Sequence, residues 1–405
     1  MGMMTKKPLK LLLEEANAEG QGTLKRTLNG VALIALGIGA IIGAGLFVRT
    51  AAAAAQNAGP SVTLAFVLAG IGCAFAGMCY AELSSSIPIS GSAYTYTFAT
   101  MGEFLAWIIG WDLVLEYAVG AATVGIAWSE YLNNFLTQVL HAAPIPYQWC
   151  HSPFQTSPEG VQGIINLPAV FIVVILSLLL IRGISESAVV NNIIVVVKVT
   201  IVILIIALGW KFMNPANHTP YIPEATKYTD HNGITYNFGG IMGILGAAGT
   251  VFFAFIGFDA VSTAAQETKN PKRNLPIGIL GSLVICTVLY ILFGYVLTGL
   301  APVEFFRDPT QGAEASVSAA ITTFMPGYAW LSGFVTIAIL AGFSSVILVM
   351  MLGQSRVFYS MSRDGLLPEV FSKIHPKYKT PYRGNLVIMV LVGLFAAFVP
   401  IDVVG

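Results

Sequence analysis

Charge is what this sequence has least of: 10% of its 405 residues are Asp, Glu, Lys or Arg, against about 25% in an ordinary soluble domain. The chain is long enough for a large core but has too few charges to clothe it, which excludes a water-soluble globule. Cysteine is also sparse. Cys73, Cys79, Cys150 and Cys286 form no Cys-x-x-Cys pair, and three of them sit in apolar stretches, where a thiol behaves as a small hydrophobe. No metal, disulfide framework or cofactor is expected. Twenty basic and twenty acidic residues cancel to a formal net charge of zero, which removes the overall attraction that nucleic acid would need. A phosphate loop, a His-Glu-x-x-His signature and a Gly-x-Ser-x-Gly elbow are missing too. Neither ATP-driven coupling nor an enzyme's catalytic constellation has a sequence basis.

What the chain has instead is apolar length, with 56% hydrophobic residues and a mean hydropathy of +0.77. Nine apolar segments, at about 30–57, 61–87, 97–139, 163–182, 188–213, 239–265, 276–301, 327–355 and 384–400, match the length that crosses a hydrocarbon core of about 30 Å. The third is long enough to be a tilted span or a span with an interfacial piece. Backbone in lipid must satisfy its own hydrogen bonds, and the short alternating segments of a barrel are not seen, so the spans are helices. The expected fold class is an all-α integral membrane bundle.

Orientation follows from the basic residues. With the N-terminus inside, fifteen of the twenty Lys and Arg fall in inner segments and three (Lys211, Lys227, Arg307) in outer loops, while Arg49 and Lys198 lie within spans. This predicts a multi-pass protein of the cell membrane with a cytoplasmic N-terminal tail over 1–28; that tail is polar and carries no signal-peptide core. The outer loops are then 140–162, 214–238 and 302–326, and the second contains the sequon Asn217-His-Thr219, a glycosylation acceptor if the host modifies it. The stretches 266–273 and 353–365 read as solvated basic ends on the inner side, with gate contacts as the other reading.

The informative residues are those that lipid rejects. The first segment contains Gly37-Ile-Gly-Ala-Ile-Ile-Gly43-Ala44-Gly45, and the sixth contains Gly246-Ala-Ala-Gly249-Thr-Val-Phe-Phe253-Ala-Phe-Ile256-Gly257-Phe-Asp259. Small residues at such places allow close helix packing. Two such segments at matching places in two halves of a chain are also the pattern of discontinuous transporter helices, whose exposed amides and dipole ends suit a carboxylate and whose carbonyls suit an ammonium. Lys198 lies about two turns into the fifth segment, at a depth where a charge is costly. It either snorkels to the inner surface or serves as a proton-coupling site. Asp112 and Glu116 share one face of the third segment and are expected to point into the bundle, toward a cationic substrate side chain or another helix. Asp259 follows the sixth-segment break as a proton carrier or a hydrogen-bond acceptor. Ser344 and Ser345 place hydroxyls in the eighth segment, where interhelical hydrogen bonding is the plain reading.

Four stretches together, Ile42-Gly-Ala-Gly-Leu-Phe47, Gly110-Trp-Asp-Leu-Val-Leu-Glu-Tyr117, Phe255 to Pro271 and Gln354 to Gly365, make the chain resemble the amino acid–polyamine–organocation superfamily. Within it the chain is most similar to the cationic amino acid transporter branch and its bacterial relatives. The resemblance runs through nearly the whole chain in order. It implies a LeuT-type fold of two inverted five-helix repeats, here 29–213 and 239–405, with an amino acid held between helices 1 and 6. By matching motif, Gly43, Ala44 and Gly45 lie at the site and the Ala44 and Gly45 amides meet the substrate carboxylate. Carbonyls of Ile41, Phe253 and Ile256 face its amino group, Phe253 gates the site, and Glu116 lies toward the side-chain end. Lys198 matches the fifth-helix lysine of proton-coupled members, with Ser344 and Ser345 in its neighbourhood. Family members have at least ten helices, so the bundle is expected to be truncated after the ninth and the second repeat incomplete.

The function this implies is a proton-coupled, sodium-independent amino acid permease for cationic or small neutral substrates. An amino acid or polyamine exchanger and a non-transporting, amino acid-sensing receptor remain alternatives, and an accompanying small membrane subunit is left open.

Overall fold

Where the apolar runs are long, the chain can only build helices, and where glycine and proline interrupt them it turns. The structure, a computed structural model, describes residues 5–17, 24–43, 45–157, 159–230, 233–308 and 316–400. A short α1 (Leu9–Asn17) precedes the bundle. The first span opens with α2 (Gly30–Ile41), whose N-cap Asn29 accepts the Ala32 N–H at 2.8 Å, as Asn does in this position. After an interruption it resumes as a π-helical turn, Gly45–Arg49, α3 (Thr50–Ala53) and a second π turn, Ala54–Ala58. The chain reverses at Gly59–Ser61 into α4 (Val62–Ser86). There follow α5 (Ala93–Thr100), α6 (Glu103–Asn134), α7 (Leu167–Arg182) and α8 (Ile184–Gly209).

An antiparallel hairpin of β1 (Thr226–Thr229) and β2 (Thr235–Phe238), with Thr226 opposite Phe238, leads into the sixth span. That span is α9 (Gly240–Phe252), a 3₁₀ turn at Phe253–Phe255, and α10 (Ala260–Thr263). The remainder is α11 (Pro271–Leu300), α12 (Val303–Arg307), α13 (Ser316–Phe324), α14 (Trp330–Arg363) and α15 (Tyr382–Phe398). Six helical runs are long and apolar enough to cross a membrane, and α2, α7 and α15 are shorter apolar helices. All nine apolar segments thus coincide with helix, and the chain is a multi-pass helical membrane protein.

The helix α14 is the axis of the packing. It lies against α6, α8, α7 and α2, while α11 packs on α4 and α2. Its lower half corrects the sequence reading. Residues 353–363 are not a solvated loop but the last turns of α14, and Gln354, Ser355 and Arg356 are buried. The polar composition there reflects contact with protein instead of water. Arg356 Nη2 and Nε donate to the two Glu267 carboxylate oxygens at 2.6 and 3.2 Å, and both side chains are 0% exposed. Glu267 therefore leaves the expected solvated stretch as well. Its carbonyl accepts the Thr27 and Leu28 N–H groups at 2.8 and 3.0 Å, tying the lead into α2 to the end of the sixth span.

Candidate functional site

The two interruptions meet. The helix α2 ends at Ile41, the last helical bond running from Ile42 N–H to Ile38 O at 3.0 Å, and Ile42 and Gly43 lie outside helix; Ala44 lies outside the described residues. In the sixth span the helix stops after the Phe253–Phe255 turn and restarts at Ala260. The contact requires glycine on both sides. A Cβ on Gly45 would lie 2.5 Å from Ala254 Cα, and one on Gly257, whose φ is +102°, would lie 2.8 Å from Ala40 Cβ. Only a residue without a side chain allows such approach and such a φ. Tyr290 of α11 spans the two breaks, its hydroxyl lying 2.9 Å from both the Ile41 and the Ala254 carbonyl oxygens. Sequence reasoning missed Tyr290; a tyrosine in a span, needing a partner for its hydroxyl, was the available signal. A carbonyl has two lone pairs, so the Ile41 oxygen retains a second acceptor direction.

Lys198 does not snorkel. It is 0% exposed, and its ammonium donates to Gly39 O at 3.0 Å, Ile42 O at 2.6 Å and Ser345 Oγ at 2.8 Å. Three donors find three acceptors. Two are carbonyls at the C-terminal end of α2, which the helix leaves without partners and where the dipole favours a cation. Ser345 Oγ also lies 2.8 Å from Gly39 O. Its neighbour Ser344 faces elsewhere, accepting the Trp128 indole N–H at 3.1 Å and donating to Leu340 O. The expected serine pair is therefore split, because adjacent residues on a helix point about 100° apart.

Beside the breaks is a cavity of about 580 Å³ lined by Ile41, Gly43, Gly45, Phe253 and Ile256, together with Arg49, Gly120, Thr123, Thr250, Val346 and Met350. Its size is that of a small-molecule site. Phe253 is 63% exposed, so its ring borders the cavity instead of being packed within the bundle. Of the acidic pair on α6, Asp112 and Glu116 are both exposed by accessible area. Glu116 shares its face of α6 with Gly120 and Thr123, which line the cavity, but is not itself among the lining residues. A Cβ on Gly120 would lie 2.8 Å from Met350 Sδ, so the thioether packs on the glycine, and both residues line the cavity. Asp259 is buried and accepts the Tyr117 hydroxyl at 2.5 Å, and Glu116 is within its electrostatic reach. Among the described residues no group of His, Cys, Asp and Glu is arranged to hold a metal.

Asn217 of the sequon donates one side-chain amide N–H to Gly299 O at 2.8 Å.

Comparison with known proteins adds to this geometry. Residues 28–404 match a family described as amino acid permease. A branched-chain amino acid permease of Bacillus subtilis is 42% identical over 96% of this chain and 78% of its own length. A methylthioribose transporter of the same organism is 39% identical over 98% of this chain and 79% of its own. A chloroplastic cationic amino acid transporter of Arabidopsis thaliana is 38% identical over 87% of this chain and 58% of its own.

Proposed function

The chain belongs to the amino acid permease family of the amino acid–polyamine–organocation superfamily, and from that premise we propose a proton-coupled, sodium-independent secondary transporter that moves amino acids by alternating access. It is a transporter and not an enzyme. The fold reading that goes with it is two inverted five-helix repeats, the first over 29–213 and the second beginning at 239, in a cell membrane with the N-terminus cytoplasmic. The paired interruptions in the first and sixth spans support it.

The observation that carries the proposal is the seat of Lys198. Its ammonium holds the carbonyls of Gly39 and Ile42 where α2 ends, beside the residues that line the cavity. Loss of one proton removes a donor and the positive charge together. The neutral amine has two donors left for three acceptors and no charge, so the carbonyls at the first break are held less tightly and the break is freer to shift against α8 and α14. Protonation and the position of the break are coupled in this way, with Ser345 shared between them. The substrate lies between the breaks. Amides of Ala44 and Gly45, next to Gly43, meet its carboxylate, carbonyls of Ile41, Phe253 and Ile256 meet its ammonium, and Phe253 closes over it. Asp259, held by Tyr117, fixes α10 relative to α6, and Glu116 stands beyond the side-chain end.

Uptake of labelled amino acid into proteoliposomes containing the full chain tests this reading. Accumulation should follow an imposed pH gradient, persist when choline replaces sodium, and collapse with a protonophore. Lys198→Ala should reduce gradient-driven accumulation to background. Undiminished uptake with the gradient collapsed would remove proton coupling, and an unimpaired Lys198→Ala protein would remove the lysine from its role.

A further inference from the structure

Arg49 is a charge the preceding account does not use. It sits in the first span, one turn beyond Gly45, in the π-helical segment Gly45–Arg49. It is exposed and lines the cavity, where it is the only ionisable side chain among the described lining residues. The three buried cations among the described residues are matched, and the half-buried Arg307 is matched in part. Lys198 has three acceptors, Arg356 has Glu267, Lys7 has Glu15 and Asp364, and Arg307 has the Ala55 carbonyl and two aromatic rings. Arg49 has neither a hydrogen bond nor an ion pair with any described residue. A guanidinium inside a span is expensive unless it meets water or an anion, and its planar fork suits a carboxylate.

We propose that Arg49 selects the substrate class: it draws the substrate carboxylate into the cavity and excludes cationic side chains, so that the amino acids carried have uncharged side chains. This rests on the transporter reading above and narrows it. The lining offers a cationic side chain no carboxylate in return. Besides Arg49 its side chains are apolar or hydroxyl-bearing, Val119, Thr123, Val124, Thr250, Val346 and Met350 among them, and Glu116 is not one of them. A lysine side chain entering the site meets the field of Arg49 without the compensation of Glu116. Two like charges in one small cavity, in a medium between protein and water, weaken binding roughly tenfold.

Three ligands of nearly one shape test the inference: norleucine, 6-hydroxynorleucine and lysine, which end in a methyl, a hydroxyl and an ammonium. Binding is measured on the full purified chain by competition with a labelled neutral amino acid. Norleucine and 6-hydroxynorleucine should bind within a few-fold of each other, and lysine at least tenfold more weakly. Arg49→Gln should narrow the gap between norleucine and lysine about tenfold, whereas Arg49→Lys should keep it.

Lysine binding as well as norleucine would overturn the inference and leave the transporter reading intact. So would 6-hydroxynorleucine binding as poorly as lysine, because exclusion would then follow from polarity and not charge. An unchanged gap in Arg49→Gln would also sink it. If that variant does not fold, the hydroxyl-to-ammonium comparison in the parent chain still decides. Binding of none of the three ligands by the parent would count against the transporter reading itself, and this inference would fall with it.

Discussion

The pair Glu267 and Arg356 shows what a single residue can hold in this protein. Two opposite charges, each 0% exposed and joined at 2.6 and 3.2 Å, have given up their water, and the attraction between them roughly offsets that loss. Their joint contribution is modest, but each alone is a liability. Glu267→Ala leaves a guanidinium buried with only Ser355 Oγ as a side-chain partner, at a cost of about 3–5 kcal/mol. The expected result is a markedly lower temperature at which the detergent-solubilised protein loses its monodisperse form. The double variant Glu267→Ala, Arg356→Met should recover part of the loss, since no uncompensated charge remains. A double variant less stable than Glu267→Ala alone would mean that Arg356 is held by packing and not by its partner. From the sequence both residues looked solvated, because a charge beside the end of an apolar run is usually in water. Pairing over 89 positions leaves no local trace.

Among the elements, the two interrupted spans carry the most information, and their glycines are not equivalent. Gly257 combines φ +102° with a Cβ position 2.8 Å from Ala40 Cβ, whereas a Cβ on Gly249, two turns earlier, meets nothing within 4 Å. Gly257→Ala is therefore expected to cost about 1–3 kcal/mol of backbone strain and to push the two breaks apart, lowering substrate affinity by an order of magnitude or more. Gly249→Ala should leave affinity within two-fold of the parent. Parallel binding isotherms on the two variants check the contrast, and equal behaviour would show that the breaks do not depend on their close approach. The clustering of glycine made both interruptions legible in the sequence, and the depth of Lys198 was legible from the apolar residues around it. Its three acceptors were not, since Gly39 and Ile42 offer backbone carbonyls that look alike at every position. The splitting of Ser344 from Ser345, the exposure of Glu116 and the bridging hydroxyl of Tyr290 all depend on helix rotation. Rotation is set by neighbours in the bundle, because apolar residues encircle most of these helices.

At the scale of the whole molecule, the distribution of polar contacts separates two ends. One end carries the Glu267–Arg356 pair together with Lys7, which bonds Glu15 and Asp364, while Tyr94 donates to Asp364 at 2.7 Å. These contacts tie the segment before α1, α1 itself, α5 and the end of α14. The opposite end carries the hairpin of β1 and β2, clamped by Arg307 between the Tyr228 and Phe238 rings at 4.1 Å from each centroid. The excess of lysine and arginine lies at the first end, which the positive-inside rule assigns to the cytoplasm. Lys227 on the hairpin and Lys377 after α14 are both exposed, so each can report which side of the membrane its end faces. With Cys79, the exposed free cysteine, replaced by serine, Lys227→Cys should react with a membrane-impermeant maleimide on intact cells. Lys377→Cys should react only after the cells are permeabilised. The reverse pattern would place the N-terminus outside. It would leave the seat of Lys198 and the meeting of the two breaks as they are, and uptake would still need an inward proton gradient, because coupled flux follows the gradient whichever way the chain is inserted.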